Sequence, residues 1–307
     1  MMTQAHRLDA APTQPDQDVD EFVEKFSEFG AQPTPAALSQ LFHTAGTLWD
    51  AGMHSPLPQS RLRAAAERFV RNVSSVQIAV RKHFAREDCV YLLTDNFGAY
   101  QGSQISYPAV YACRLRDGLI VEGRCFYDQA RLLAPAVGGT LALPAYRPTW
   151  EPALAGAPAA GAGAAVEPAK FVRNYDALWH ADNAEVGMGL ASCYNSNGMI
   201  LNPGMARPIM KPEIPGYYAM LLAAVPDLDP KLEGWAGDGD ALCVEWLYRG
   251  AGGDGRSPLA VRVVDVFEFA GGGVQFGHAY YDSLTILSAS RADLAKVVAK
   301  ARASFFC

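Results

Sequence analysis

The sequence predicts an α+β fold built twice in tandem, and three observations carry that prediction. The segment Leu115-Arg116-Asp117-Gly118-Leu119-Ile120-Val121-Glu122-Gly123-Arg124-Cys125-Phe126-Tyr127-Asp128 returns as Phe269-Ala270-Gly271-Gly272-Gly273-Val274-Gln275-Phe276-Gly277-His278-Ala279-Tyr280-Tyr281-Asp282. Gly118/Gly272, Gly123/Gly277, Phe126/Tyr280, Tyr127/Tyr281 and Asp128/Asp282 are all separated by 154 positions. Upstream, Leu38, Phe42, Leu48 and Asp50 match Leu190, Tyr194, Ile200 and Asn202 at an offset of 152. Between the copies, residues 135–168 are dominated by Ala, Pro and Gly, which offer little large apolar surface to bury and read as a linker. Within each copy helical periodicity precedes strand-like runs, and helices segregated from an antiparallel sheet define the α+β class.

Taken in order, residues 1–18 are Gln, Pro, Asp and Ala without a hydrophobic period and read as a disordered lead-in. The first domain, residues 19–134, opens on helical periodicity at Asp20–Phe29 and Pro35–Phe42. A third helix follows at Arg61–Arg71, with Leu62, Ala65, Ala66, Phe69 and Val70 on one stripe. Its strand candidates are Val76–Arg81, Val90–Leu93, Ala109–Leu115 and Leu119–Phe126. The second domain, residues 169–289, repeats the order with helices at Phe171–His180 and Ile214–Ala224 and strands at Ala241–Tyr248, Leu259–Phe269 and Val274–Tyr281. Residues 290–307 read as an appended C-terminal helix, opened by the capping box Ser290-Arg291-Ala292-Asp293 and carrying Leu294, Val297, Val298 and Ala301 on one face.

Composition excludes several classes of function. The 307 residues carry 26 Lys+Arg against 32 Asp+Glu, a formal charge of −6, with no long run of cations. A nucleic-acid surface needs clustered cations to neutralise phosphate, so nucleic acid is not an expected partner. The least charged stretches, Leu132–Tyr146 and Pro152–Val166, are broken by Pro and Gly and too rich in Ala to replace water with lipid, so no membrane contact is expected. The first residues, with Arg7, Asp9, Asp16 and Asp18 and no apolar core, lack the layout of a secretory signal, which makes the cytoplasm the expected location. The 6 cysteines form no CxxC and the 6 histidines are scattered without ligand spacing, so disulfides, a metal and other cofactors are not expected. The glycines of Gly271–Gly273 and Gly250–Gly255 read as hairpin tips, since neither group opens a helix that could cradle phosphate, and no GxSxG elbow is present.

Three parts of the second copy carry a family likeness: the strand pair Val263-Val264-Asp265-Val266-Phe267-Glu268-Phe269 and Val274–Tyr281; the segment Cys193–Gly204 with Pro208-Ile209, Glu213-Ile214 and Gly216-Tyr217-Tyr218; and Asn174-Tyr175. Together they resemble the ketosteroid isomerases over residues 170–288. The first copy resembles the broader nuclear-transport-factor and SnoaL-like cyclase superfamily. What the resemblance implies is two tandem cones, each a curved antiparallel sheet with helices around an apolar pocket. The two sheets would pack back to back as an internal pseudo-dimer, and a further homodimer through another surface stays open. It also implies proton transfer next to a ketone: a carboxylate base removes a proton while a Tyr hydroxyl and a protonated Asp donate hydrogen bonds to the enolate oxygen. On this resemblance Tyr175 falls on the oxyanion tyrosine and Asp265 on the protonated acid, while Asn202, which cannot accept a proton, falls on the base. In the first copy Asp50 falls on the base, Phe26 near the tyrosine and Tyr111 on the acid, so neither copy carries the full set.

The residues also have a reading of their own. Val261, Val263, Asp265, Phe267 and Phe269 share one strand face, which plants a carboxyl in an apolar row where ionisation is costly and its pKa rises. A merely satisfied structural acid is the competing reading. Tyr175 on an apolar helix face reads equally as core with its hydroxyl at the rim. His278, on the strand face of Phe276 and Tyr280, and Glu245, between Val244 and Trp246, are substitute bases if they face the pocket; otherwise they are a satisfied histidine and an outward-facing glutamate. Asp50 reads equally as a turn or cap residue. The expected pocket lining is Asn202, Trp179, Glu245, Phe267, Phe276 and Tyr280 in the second copy, with Trp49 and Tyr111 in the first.

These readings lead to an isomerase- or cyclase-type protein that binds an apolar carbonyl compound. Tyr175 and Asp265 would stabilise an enolate-like oxygen, with Asp50 and His278 as further catalytic candidates. Two other classes compete: a binding protein that kept the pocket and lost the base, which Asn202 favours, and an interaction scaffold with its pockets filled by side chains.

Overall fold

The computed structural model describes residues 14–53, 55–100, 102–130, 132–133, 166–202, 205, 207–251, 258–290, 295–300 and 302. The first thirteen residues of the lead-in, most of the Ala/Pro/Gly linker, residues 252–257 of the glycine-rich tip, residues 291–293 of the capping box and residues 294, 301 and 303–307 of the expected C-terminal helix lie outside them.

The repeat seen in the sequence reappears as two sheets of identical topology. The first contains β1 (Phe42–Asp50), β2 (Leu57–Pro58), β3 (Val73–Arg86), β4 (Cys89–Tyr100), β5 (Ser103–Arg116) and β6 (Leu119–Phe126), in the order β2-β1-β6-β5-β4-β3. The second contains β7 (Tyr194–Leu201), β8 (Ile209–Met210), β9 (Asp229–Gly237), β10 (Ala241–Ala251), β11 (Pro258–Ala270) and β12 (Gly273–Tyr280), in the order β8-β7-β12-β11-β10-β9. Helices α1 (Gln14–Ala31), α2 (Pro35–Gln40) and α3 (Gln59–Asn72) accompany the first sheet, α4 (Pro168–Trp179), α5 (Asn183–Ser192) and α6 (Ile214–Ala224) the second, and α7 (Ser283–Ser290) follows it. The chain is α+β, two tandem cones. The sheets differ from the expected antiparallel form in one pairing each: β1 lies parallel to β6 and β7 parallel to β12, because the last strand of each copy returns beside the first and runs in its direction.

Local chemistry accounts for the matching halves. The β5–β6 hairpin turns on Asp117-Gly118 with φ of 53° and 68°, and the β11–β12 hairpin on Gly271-Gly272 with φ of 60° and 80°. Two consecutive left-handed residues match the twist of a tight hairpin, which is why glycine recurs there. One register break beyond each turn also recurs, between Arg114 and Leu115 and between Glu268 and Phe269. Pro35 occupies the first turn of α2, where its missing N–H costs nothing, and Thr34 caps that turn by accepting from Ala37 N at 3.1 Å.

Strand alternation divides each sheet into two working faces. In the second copy Val261, Val263, Phe267 and Phe269 join Leu242, Val244 and Trp246 and the helices in one apolar cluster, the interior of the cone. Val264 and Val266, with Ala241 and Cys243, point the other way and pack against Tyr91, Leu93, Val110, Ala112 and Phe126 of the first sheet. That interface contains a buried ion pair: Arg124 on β6 donates from Nε to Glu245 Oε1 at 2.6 Å and from a terminal nitrogen to Oε2 at 2.7 Å, and the Tyr91 hydroxyl donates to Oε2 at 3.3 Å.

Several sequence expectations need correction. Residues 14–18 belong to α1 and not to a disordered lead-in. Helix α2 ends at Gln40, and Phe42 already begins β1. The C-terminal region is not a mere appendage: residues 295–300 and 302 are helical, and Leu284 and Val298 are buried beside Tyr107, Tyr127 and Leu132 of the first copy. Among the described residues no helix is long and apolar enough to cross a membrane.

Candidate functional site

Tyr175 and Asp265 both face the interior of the second cone, and that interior is occupied by rings. Tyr175 on α4 is 1% exposed; it stacks on Phe171 at 5.5 Å and meets Phe267 at 5.0 Å and Trp246 at 6.2 Å. Its hydroxyl lies 3.5 Å from that of Tyr218, and no hydrogen bond among the described residues joins it to Asp265. Trp179, at the end of α4, packs edge-on to Tyr218 at 5.2 Å and meets Tyr248 at 5.5 Å. Burial pushes the Asp265 carboxyl up to about 7, and the indole of Trp246 on the neighbouring strand pulls it partly back without reaching hydrogen-bond geometry. Burial likewise raises the Tyr175 phenol well above its ordinary range, with the charges of Tyr218, Tyr194 and Asp265 adding to it.

Asn202 has both ends of its amide in use. Its Nδ2 donates to the Tyr217 hydroxyl at 2.9 Å and its Oδ1 accepts from Ala279 N at 3.2 Å. Four other residues expected in this pocket are elsewhere. Glu245 alternates with Val244 and Trp246 and so projects into the sheet–sheet interface, where Arg124 holds it. On β12 the interior positions are Gly277 and Ala279; a Cβ on Gly277 would lie 2.5 Å from the Tyr194 hydroxyl inside the cone. Phe276, His278 and Tyr280 therefore share the opposite face, with the His278 ring 4.4 Å from Tyr280 and 6.2 Å from Phe276, and Tyr280 belongs to the interface cluster. The break in register next to Phe276 moved this strand's inward set by one residue, which alternation read from sequence could not register.

A cavity lies in the first cone. It has a volume of about 160 Å³ between α1, α3 and the inner face of the sheet, and the whole α3 stripe (Leu62, Ala65, Ala66, Phe69 and Val70) forms one wall. The opposite wall carries Asp50, Tyr107, Tyr111, Cys125 and Tyr127, with Phe26 of α1 packed on the Tyr111 ring at 5.1 Å. Trp49, next to Asp50 on β1, points out of the cavity: its ring lies 5.5 Å from Phe126, the Arg262 guanidinium sits over it at 5.8 Å, and its indole donates to Met53 O at 2.8 Å.

Asp50 ends β1, so its backbone is fixed by the sheet while its side chain enters the cavity wall. Its Oδ1 is buried and accepts no hydrogen bond. Burial pushes the carboxyl up to about 7; the Tyr127 hydroxyl and the Ala51 amide pull it partly back, and the charge of Asp282 adds to the rise. Burial raises Tyr107, Tyr111 and Tyr127 above the usual phenol range, and Asp50 contributes to each shift, so the carboxyl and the three phenols face one another. Asn96 Nδ2 donates to the Tyr111 hydroxyl at 3.5 Å, and the Cys125 thiol stands beside the same hydroxyl. Sequence reasoning missed Tyr107 and Tyr127. The signal for Tyr107 is its even spacing from Tyr111 along β5, and for Tyr127 its place in the repeated Tyr-Asp pair.

Nothing among the described residues gathers three His, Cys, Asp or Glu side chains into a metal site, and Cys89, Cys113, Cys125, Cys193 and Cys243 are free thiols. The fold defines a class, two tandem cones of one sheet topology, and residues 172–275, in the second, match the SnoaL-like domain family. Among solved structures the chain is similar to a ketosteroid-isomerase-like protein of Catenulispora acidiphila in complex with trimethylamine, at 20% identity over 37% of this chain and 90% of that one, TM-score 0.35. It is also similar to a SnoaL-like polyketide cyclase of a Jannaschia species, at 18% identity over 43% of this chain and 96% of that one, TM-score 0.35. An LEH-like epoxide hydrolase of M. tuberculosis matches at 13% identity over 38% and 88%, TM-score 0.34. No curated protein matches the sequence.

Proposed function

We propose that the first cone is the working site: it takes an apolar small molecule with a carbonyl group, and Asp50 exchanges a proton with it in the manner of an isomerase or cyclase. The observation that carries this reading is the Asp50 carboxyl, raised to about 7 with Oδ1 buried and unbonded in the cavity wall. Near neutrality such a group is present in both protonation states, the condition for a base that must be regenerated each cycle. Tyr111, Tyr107 and Tyr127 supply hydroxyls on the same wall, where negative charge on a guest oxygen would need donors. The second cone then serves as the packing partner of the first, since rings occupy its interior and the Asn202 amide is committed to Tyr217 and Ala279.

The second reading is a carrier that binds without chemistry. It is favoured by Asp50 being the one aspartate or glutamate among the described residues of the cavity wall, which leaves one carboxyl for both halves of a proton transfer. Fluorescence titration with naphthol reports binding, and isomerisation of a β,γ-unsaturated ketone reports chemistry. Loss of turnover with weakened but measurable naphthol binding in Asp50→Asn supports the enzyme, and binding without turnover in the unaltered protein supports the carrier. Naphthol binding that survives when Ala66→Trp fills the cavity would sink both.

A further inference from the structure

We infer that Arg302, delivered by the C-terminal segment, is a positioning residue for Asp50, so that the site in the first cone is completed by residues from beyond the second. This rests on the reading of Asp50 as the reactive group.

The geometry is a relay of short contacts into the turn that carries the carboxylate. That turn, Asp50–Met53, is closed by Met53 N donating to Asp50 O at 2.9 Å, and it is tied to the sheet by Ala51 N donating to Cys125 O at 3.1 Å. Its outer side depends on Gln129, whose Nε2 donates to Ala51 O. Gln129 is held from behind by Arg302, whose Nε donates to Gln129 Oε1 at 2.7 Å. The same guanidinium pairs with Asp282 and donates to Thr285 Oγ1 at 3.3 Å. A planar fork fixes two acceptors relative to each other in a way a single amine cannot.

Two further observations show that this contact is built. Gly52 has φ of +78°, and a Cβ there would stand 2.5 Å from Gln129 Oε1 and 2.8 Å from an Arg302 terminal nitrogen. A glycine is therefore what lets the guanidinium lie against the turn. The anchor end is equally tied: Asp128 of the first copy accepts from Ser283 N at 3.1 Å and Ser283 Oγ at 2.7 Å, while Asp282 accepts from Thr285 Oγ1 at 2.7 Å. Leu284 and Val298, both buried, close the cluster beside Tyr107 and Tyr127. Residues from the end of the described chain thus hold Asp50 against motion along the cavity wall.

The test is naphthol affinity in four full-length proteins: unaltered, Asp50→Asn, Arg302→Ala and the double variant. Arg302→Ala should weaken binding roughly three- to tenfold when Asp50 is present, the range of one ordinary net hydrogen bond, and hardly at all when Asp50 is already Asn. Equal losses in both backgrounds would mean that Arg302 merely seals the fold, and no loss would mean that it does nothing for Asp50; either result overturns the proposal. Arg302→Lys keeps a cation beside Asp282 but loses the fork; it should show the same selective loss at smaller size, and it decides the matter if Arg302→Ala fails to fold. Naphthol binding unchanged in Asp50→Asn alone would instead overturn the functional reading of Asp50, a separate outcome.

Discussion

Arg124 on β6 and Glu245 on β10 meet through two parallel N–H···O contacts of 2.6 and 2.7 Å in the seam between the sheets, with Glu245 fully buried and the Arg124 side chain 7% exposed. Removing one member takes away the two-pronged contact in a dry place and leaves Arg124 with Glu122 at 2.6 Å, or Glu245 with Arg262 at 3.6 Å and the Tyr91 hydroxyl. Glu245→Ala or Arg124→Ala should each cost about 3–5 kcal/mol of stability, whereas Arg124→Met with Glu245→Leu should be near neutral or stabilising. Urea unfolding of the three variants checks this, and a double variant as unstable as the singles would show that the seam needs the charges themselves.

Asp50 and Asp265 impose a pH dependence of definite sign. Each has an ordinary value of 3.8 and sits near 7 in the folded chain, held up by burial. Between those values the native state keeps protons that the unfolded state has released, so stability falls as pH rises from about 4 to about 7 and levels above. Asp50→Asn and Asp265→Asn should each flatten that slope and raise the melting temperature more at pH 8 than at pH 4. A slope unchanged in both variants would place its origin in other groups.

Asn202→Asp restores a carboxylate where the resemblance expects a base, yet it should not create activity. The new carboxylate can accept from Ala279 N and from the Tyr217 hydroxyl, so the protein should fold. A substrate still has to share the interior with Phe171, Tyr175, Trp179, Trp246 and Phe267. Enone isomerisation at the level of the unaltered protein is the expected result.

Gly52→Ala and Gly118→Ala separate backbone strain from crowding. Both positions have positive φ, +78° and +68°, which costs an alanine about 1–2 kcal/mol. At Gly118 a Cβ meets nothing within 4 Å, whereas at Gly52 it meets Gln129 and Arg302. Denaturant midpoints should therefore drop further for Gly52→Ala, and only that variant should lose naphthol affinity.

The duplicated architecture was legible because its signals are local. The paired hairpin turns, the strand cores of β5, β6, β11 and β12 and the α3 stripe all follow from residue type and period. Strands β1, β7 and β9 were not legible: His43-Thr44-Ala45-Gly46, Asn195-Ser196-Asn197-Gly198 and Pro230 with Gly234 dilute the apolar alternation, and those strands are held by pairing with distant partners. The location of the cavity was the largest gap. Tyr175 and Asp265 have the residue types of a site, but whether a hollow lies between them is decided by the volume of neighbours such as Phe171, Trp179 and Tyr218, which no single-position pattern encodes. Asp50 faces the cavity because β1 ends there, and that strand was itself unseen.

Arg302 stands 173 residues beyond Gln129, so the first lobe leaves the ribosome long before the groups that finish it exist. Until Leu284, Val298 and Arg302 are made, Tyr107 and Tyr127 lack part of their apolar cover and Gln129 lacks the guanidinium behind it.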